Sequence, residues 1–111
     1  MDIDVTQASG VTVVAPRGDL DMATVDEVRR TLAGLIDGGQ SRVLMDLGGV
    51  GYIDSSGMGA MVAAMKQARA LGGDVRLCAL QDDVRGIFEL TRLARAMSIH
   101  TTRQEALASW G

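Results

Sequence analysis

Val43, Leu44, Met45 and Leu47 form a nearly continuous apolar run. A strand with one face in water alternates apolar and polar residues, so this pattern indicates a central strand covered on both faces. Such a strand requires helices to cover it, and the flanking segments supply them. From about Asp21, the residues Val25, Val28, Leu32, Leu35 and Ile36 recur at helical spacing, and Gly38-Gly39 supplies the stop. After the strand, Met58, Met61, Val62, Met65 and Ala68 line one side of a second helix that ends at Gly72-Gly73. Ala60, Ala63 and Ala64 add helix propensity to it.

The rest of the chain repeats the alternation. Ile3 and Val5, then Val11 and Val13, alternate with polar residues across an Ala8-Ser9-Gly10 turn, the pattern of an antiparallel hairpin half-exposed at one edge. Pro16 closes the second strand because it cannot donate to a ladder, and Gly18 follows where the chain turns. Val75, Leu77 and Ala79 read as a further strand. A short helix around Val84, Ile87 and Phe88 follows, with Asp82-Asp83 complementing the dipole at its start. A last strand is expected near Ala96 to Ile99. Thr102-Arg103-Gln104-Glu105 matches a capping box that opens a terminal helix, with Leu107 and Trp110 docking on the body. The fold class is α/β. A single mixed sheet of about five strands is expected, antiparallel at the N-terminus and parallel later, with about four helices.

At 111 residues the chain suffices for one core and not for two, so residues 1–111 are read as one domain. Tyr52, Phe88 and Trp110 are its only aromatics, which leaves the core to aliphatics, Ala and seven Met.

Composition also removes function classes. Eleven Lys plus Arg against fourteen Asp plus Glu leave a net charge of −3, which offers no basic field for nucleic acid. No apolar run is long enough for a membrane helix. The single Cys78 lies in an apolar strand pattern, as a small buried thiol does. One cysteine and no signal-peptide pattern point to a reducing cytoplasm.

Enzyme readings lack their parts. The serines do not stand in a Gly-x-Ser-x-Gly elbow, and the only histidine, His100, has no acid at a triad-like spacing. The glycines between Gly48 and Gly59 are followed by no Gly-Lys-Ser/Thr, and Gly-x-Gly-x-x-Gly is missing, so no nucleotide cofactor is expected. No His, Cys or carboxylate cluster has metal-ligand spacing.

What remains is Asp54-Ser55-Ser56-Gly57-Met58-Gly59, between the apolar strand and the second helix. The bland reading is a well-capped βα turn, with Asp54 bonding local N–H groups and a serine at the N-cap. The functional reading adds that a helix N-terminus, with its unpaired N–H groups and its dipole, accepts a phosphate on such a serine. Asp21 has a similar pair of readings, as an N-cap of the first helix or as part of a partner surface.

Across essentially its whole length the chain resembles the STAS domain of bacterial anti-sigma-factor antagonists. The resemblance rests on Gly18-Asp19-Leu20-Asp21, Asp46-Leu47, Tyr52-Ile53 with the serine motif, and Gly72-Gly73. Asp19 stands where relatives often have Glu. The resemblance implies a non-enzymatic partner-switching phosphoprotein of transcription regulation. In that family the unphosphorylated antagonist binds a serine-kinase anti-sigma factor and frees the sigma factor. Phosphorylation of the serine directly after the motif's Asp switches binding off. Here that serine is Ser55, with Ser56 the second choice, and a phosphatase acting on phospho-Ser55 is implied. The implied partner-binding residues are Asp21, Asp54, Ser55, Ser56, Gly57 and Met58. Two other readings stand behind this one: a constitutive STAS subunit of a transport or other regulatory complex, and a small-ligand module using the glycine-rich loop.

Overall fold

The computed structural model describes residues 1–110. Its strands are β1 (Asp2–Ala8), β2 (Val11–Arg17), β3 (Arg42–Asp46), β4 (Asp74–Cys78) and β5 (Ile99–His100). They form one sheet in the order β1-β2-β3-β4-β5. The β1–β2 pair is antiparallel and the other three pairs are parallel. Four helices are α1 (Val25–Asp37), α2 (Ser55–Ala70), α3 (Asp82–Leu90) and, beyond a one-turn α4 (Leu93–Ala96), α5 (Arg103–Ala108).

Strand alternation divides the core. Val14, Val43, Met45, Val75 and Leu77 face α1, α2 and α3, where Leu32, Ile36, Met61, Met65 and Phe88 complete the larger cluster. Val11, Val13, Leu44 and Cys78 face the opposite side, under Ala106, Leu107 and Trp110 of the C-terminal segment. Both faces of β3 are therefore covered, as its apolar run requires. Half of the expected capping box is in place: Thr102 is the N-cap, its Oγ1 accepting from the Glu105 N–H at 3.1 Å, while no return bond from the Glu105 carboxylate to the Thr102 N–H forms among the described residues. Arg103 anchors α5 to the sheet by donating twice to Asp46 Oδ2, at 3.0 and 2.8 Å. Arg76 lies 4.2 Å from the Trp110 ring centroid and fixes the end of the chain by a cation–π contact.

Four expectations need correction. Exposure in the N-terminal hairpin falls mainly on β1 and the turn; β2 lies one row in and is buried on both faces from Val11 to Val14, its Thr12 included. The Thr12 hydroxyl answers that burial by donating to Gln40 Oε1 at 2.6 Å. Pro16 does not close β2, which runs on to Arg17. It is tolerated because the pairing with β3 ends at Val14, so no ladder bond on that side is lost. Ala96 ends α4, and the last strand begins at Ile99. The first helix begins at Val25 and not at Asp21, because residues 21–24 close a separate turn.

The turn between β1 and β2 is Ser9-Gly10, with φ of 55° and 78°. Two left-handed residues match the primed turns whose twist suits a two-residue hairpin.

Candidate functional site

Beyond their paired residues, the segments leaving β2 and β3 stay side by side. Gly18 N–H donates to Gly49 O at 3.0 Å, Leu20 N–H to Tyr52 O at 2.9 Å, and Asp54 N–H to Leu20 O at 3.2 Å. Leu20 and Ile53 form a parallel bridge, with both side chains in the core. This zipper brings the Asp21 turn against the first residues of α2, at the C-terminal ends of the parallel strands.

Asp54 joins the two. Its Oδ1 accepts from the Gly57 N–H at 3.0 Å, which makes Asp54 the N-cap of α2. Its Oδ2 accepts from the Met22 N–H at 3.2 Å. One carboxylate thus caps the helix and holds the neighbouring turn. The serine expected at the N-cap is displaced by one position: Ser55 is the first residue of α2. Both residue types cap well, and the extended backbone at Asp54 (φ −108°, ψ −174°) gives it the role.

Ser55 is exposed and Ser56 half-buried. Among the described residues neither hydroxyl makes a side-chain hydrogen bond, and no acidic residue lies within the first turn of this sixteen-residue helix. The one carboxylate at this helix end is the Asp54 cap, and the Ser55 hydroxyl beside it is exposed without a side-chain partner among the described residues.

Gly57 and Met58 are buried at this site and not surface residues. A Cβ on Gly57 would lie 2.6 Å from Leu20 O and 2.9 Å from Ile53 Cγ1. The absence of a side chain is what lets α2 start against the zipper. Met58 joins the larger core cluster and accepts a long contact from Thr91 Oγ1 to its sulfur at 3.8 Å.

Asp21 is half-buried and does not cap α1, whose N-cap is Thr24. Its Oδ1 accepts from the Ala23 N–H at 2.9 Å, and its carbonyl accepts from the Val25 N–H at 2.8 Å. Thr24 Oγ1 closes the same turn by donating to Asp19 O at 2.7 Å. Met22, at the tip of that turn, is 78 % exposed, and Tyr52 on the adjoining segment is 49 % exposed. Neither is among the partner-binding residues expected from the sequence, although Tyr52 belongs to the motif that carries the resemblance. Met22 falls outside every apolar periodicity, and only an exposed methionine in a fully bonded turn marks it.

Asp46 acts away from this surface, with Oδ1 accepting from the Gly48 N–H at 3.0 Å and Oδ2 receiving Arg103. Cys78 is fully buried, and desolvation, with a smaller contribution from Asp46 charge against an opposing one from Arg103, pushes its thiol up to about 12. It is a packed thiol, not a nucleophile. Among the described residues no group of His, Cys, Asp and Glu could hold a metal ion.

The STAS domain family model matches residues 2–106. The chain belongs to the STAS domain family. It is 28 % identical over 110 residues to BtrV of Bordetella bronchiseptica, named a candidate anti-sigma factor antagonist, covering 99 % of this chain and 95 % of that one. The structure of an anti-sigma-factor antagonist (STAS) domain protein from Planctomyces limnophilus aligns with a TM-score of 0.87 at 28 % identity, over 98 % of this chain and 97 % of the other. SpoIIAA of Bacillus in its phosphorylated form shares the fold, with a TM-score of 0.75 at 21 % identity over 99 % of this chain and all of the other. No helix among the described residues is long and apolar enough to cross a membrane.

Proposed function

We propose that this chain is an anti-sigma-factor antagonist working as one STAS unit in the cytoplasm. Unphosphorylated, it binds a serine-kinase anti-sigma factor and so frees the sigma factor; phosphorylation of Ser55 switches that binding off. The observation that carries the reading is the exposed Ser55 hydroxyl on the first residue of α2, next to the Asp54 cap. The antagonist name borne by its relatives and the phosphorylated form of SpoIIAA support it.

The chain is the substrate of the reaction. Ser55 Oγ bonds to the γ-phosphorus of ATP, the bond from that phosphorus to the bridging oxygen breaks, ADP leaves, and the hydroxyl proton passes to a base on the kinase. The product adds a charge of about −1.5 to −2 at the helix N-terminus, where the dipole favours it. The effect therefore falls on the docking surface, through repulsion and desolvation against the kinase, and not on the fold. A phosphatase acting on phospho-Ser55 resets the switch.

The test is incubation with ATP and each serine kinase encoded by the host, with phosphate mapped by mass spectrometry on the wild type, Ser55→Ala and Ser56→Ala. Phosphate on Ser55, lost in Ser55→Ala while kinase binding persists, is the expected result. Stoichiometric phosphate on Ser56 in the Ser55→Ala protein would move the switch to the second hydroxyl. Stable complexes without phosphate on either serine would make the chain a constitutive STAS subunit.

A further inference from the structure

Met22 is a large apolar side chain left in water at 78 % exposure, yet its backbone is not loose. Its N–H is bound by Asp54 Oδ2 at 3.2 Å. The turn that carries it is closed by Ala23 N–H on Asp21 Oδ1 at 2.9 Å, Asp21 N–H on Thr24 Oγ1 at 3.1 Å, and Val25 N–H on Asp21 O at 2.8 Å. A methionine presented this way loses little further backbone freedom when it is covered, and its unbranched thioether adapts to the pocket that covers it.

The same Asp54 carboxylate, through Oδ1, caps the helix whose first residue is Ser55. Phosphoryl transfer needs the acceptor oxygen within roughly 3–3.5 Å of the phosphorus. Met22 and Ser55 flank the Asp54 carboxylate and both are exposed, so a kinase that encloses Ser55 has Met22 within reach of the same face.

We propose that Met22 is the apolar anchor by which the Ser55 kinase recognises this chain, and that Asp54 is the positioning residue that holds it in register with the phosphoacceptor. The inference rests on the phospho-switch reading above and names the partner's chemistry. The kinase carries an apolar recess beside its phosphoryl-transfer centre, sized for a methionine side chain. Tyr52 is half-exposed on the adjoining segment, where its carbonyl accepts from the Leu20 N–H.

The experiment measures affinity by calorimetry, without ATP, between the full chain and the serine kinase that phosphorylates it, for the wild type, Met22→Ala, Met22→Leu, Asp54→Asn and Met22→Ala combined with Asp54→Asn. Asn keeps a cap acceptor for Gly57, but its amide cannot accept from Met22 N–H if its oxygen does so. Met22→Ala should bind at least tenfold more weakly with an unchanged melting temperature, and Met22→Leu should recover most of the affinity. The double variant should lose less than the product of the two single losses, because Met22 is no longer held when Asp54 is replaced. Affinity of Met22→Ala within twofold of wild type would overturn the anchor, and strictly multiplicative losses would overturn the positioning role. The wild-type arm judges the function separately: a chain that no serine kinase binds or phosphorylates would sink the switch itself, whatever the Met22 variants do.

Discussion

Asp54 accepts two N–H groups while Ser55, one residue on, offers its hydroxyl to solvent, and this sets unequal costs for replacing them. Asp54→Ala removes a cap and is expected to cost about 0.5–2 kcal/mol of stability. Ser55→Ala removes an exposed hydroxyl without a side-chain partner among the described residues and should stay within about 0.5 kcal/mol of wild type. Denaturant unfolding of the two variants measures both, and the opposite order would return the cap to the serine. The sequence alone could not separate these roles, because Asp and Ser are both good N-caps and the choice lies in the backbone at residue 54. Asp21 shows the same ambiguity. Its carboxylate bonds two residues ahead, as a capping side chain does, but the turn it closes precedes α1, whose N-cap is Thr24.

At the scale of elements, α2 is positioned by contact with the β2 and β3 exits, and Gly57 is where that contact is tightest. Gly57→Ala places a Cβ 2.6 Å from Leu20 O, and since that neighbour is backbone in the zipper, the helix start must shift. A loss of about 1–3 kcal/mol is expected, despite the better helix propensity of alanine. A thermal melt checks it; a Gly57→Ala variant at least as stable as wild type would mean that the helix start has room to move. Elements with a long periodic signal were legible in the sequence: the Val43–Leu47 run, the Val25–Ile36 face and the Met58–Ala68 face all lie where their spacing put them. The two-residue β5 was not legible, because Ile99–His100 is too short to carry a period and is defined by its pairing with Leu77 and Cys78. Burial of β2 was missed for a similar reason: Thr12 looks like a solvent-facing residue until Gln40 is seen to satisfy its hydroxyl.

For the whole molecule, the two core clusters share the sheet, and Cys78 reports on the one beneath α5. Its unfolded thiol loses a proton near the ordinary 9.0, whereas the folded one holds it to about 12. Between those values the native state binds more protons, so the thiol's contribution is complete below pH 9 and is lost as pH rises toward 12. The stability gap between wild type and Cys78→Ala should therefore narrow above about pH 9 in urea titrations; a constant gap would deny the burial of the thiol. The phosphate acts on a different property. At low ionic strength the phospho-Ser55 protein should melt no lower than the unmodified one, because the α2 dipole offsets repulsion from Asp54. The central claim is that the modification switches an interface and not the fold. Calorimetric titration of the anti-sigma kinase into the two forms, each also melted alone, tests it most directly. Sharply reduced affinity with an undiminished melting temperature is the predicted result, and either equal affinity for both forms or a large fall in melting temperature accompanying the lost binding would contradict it.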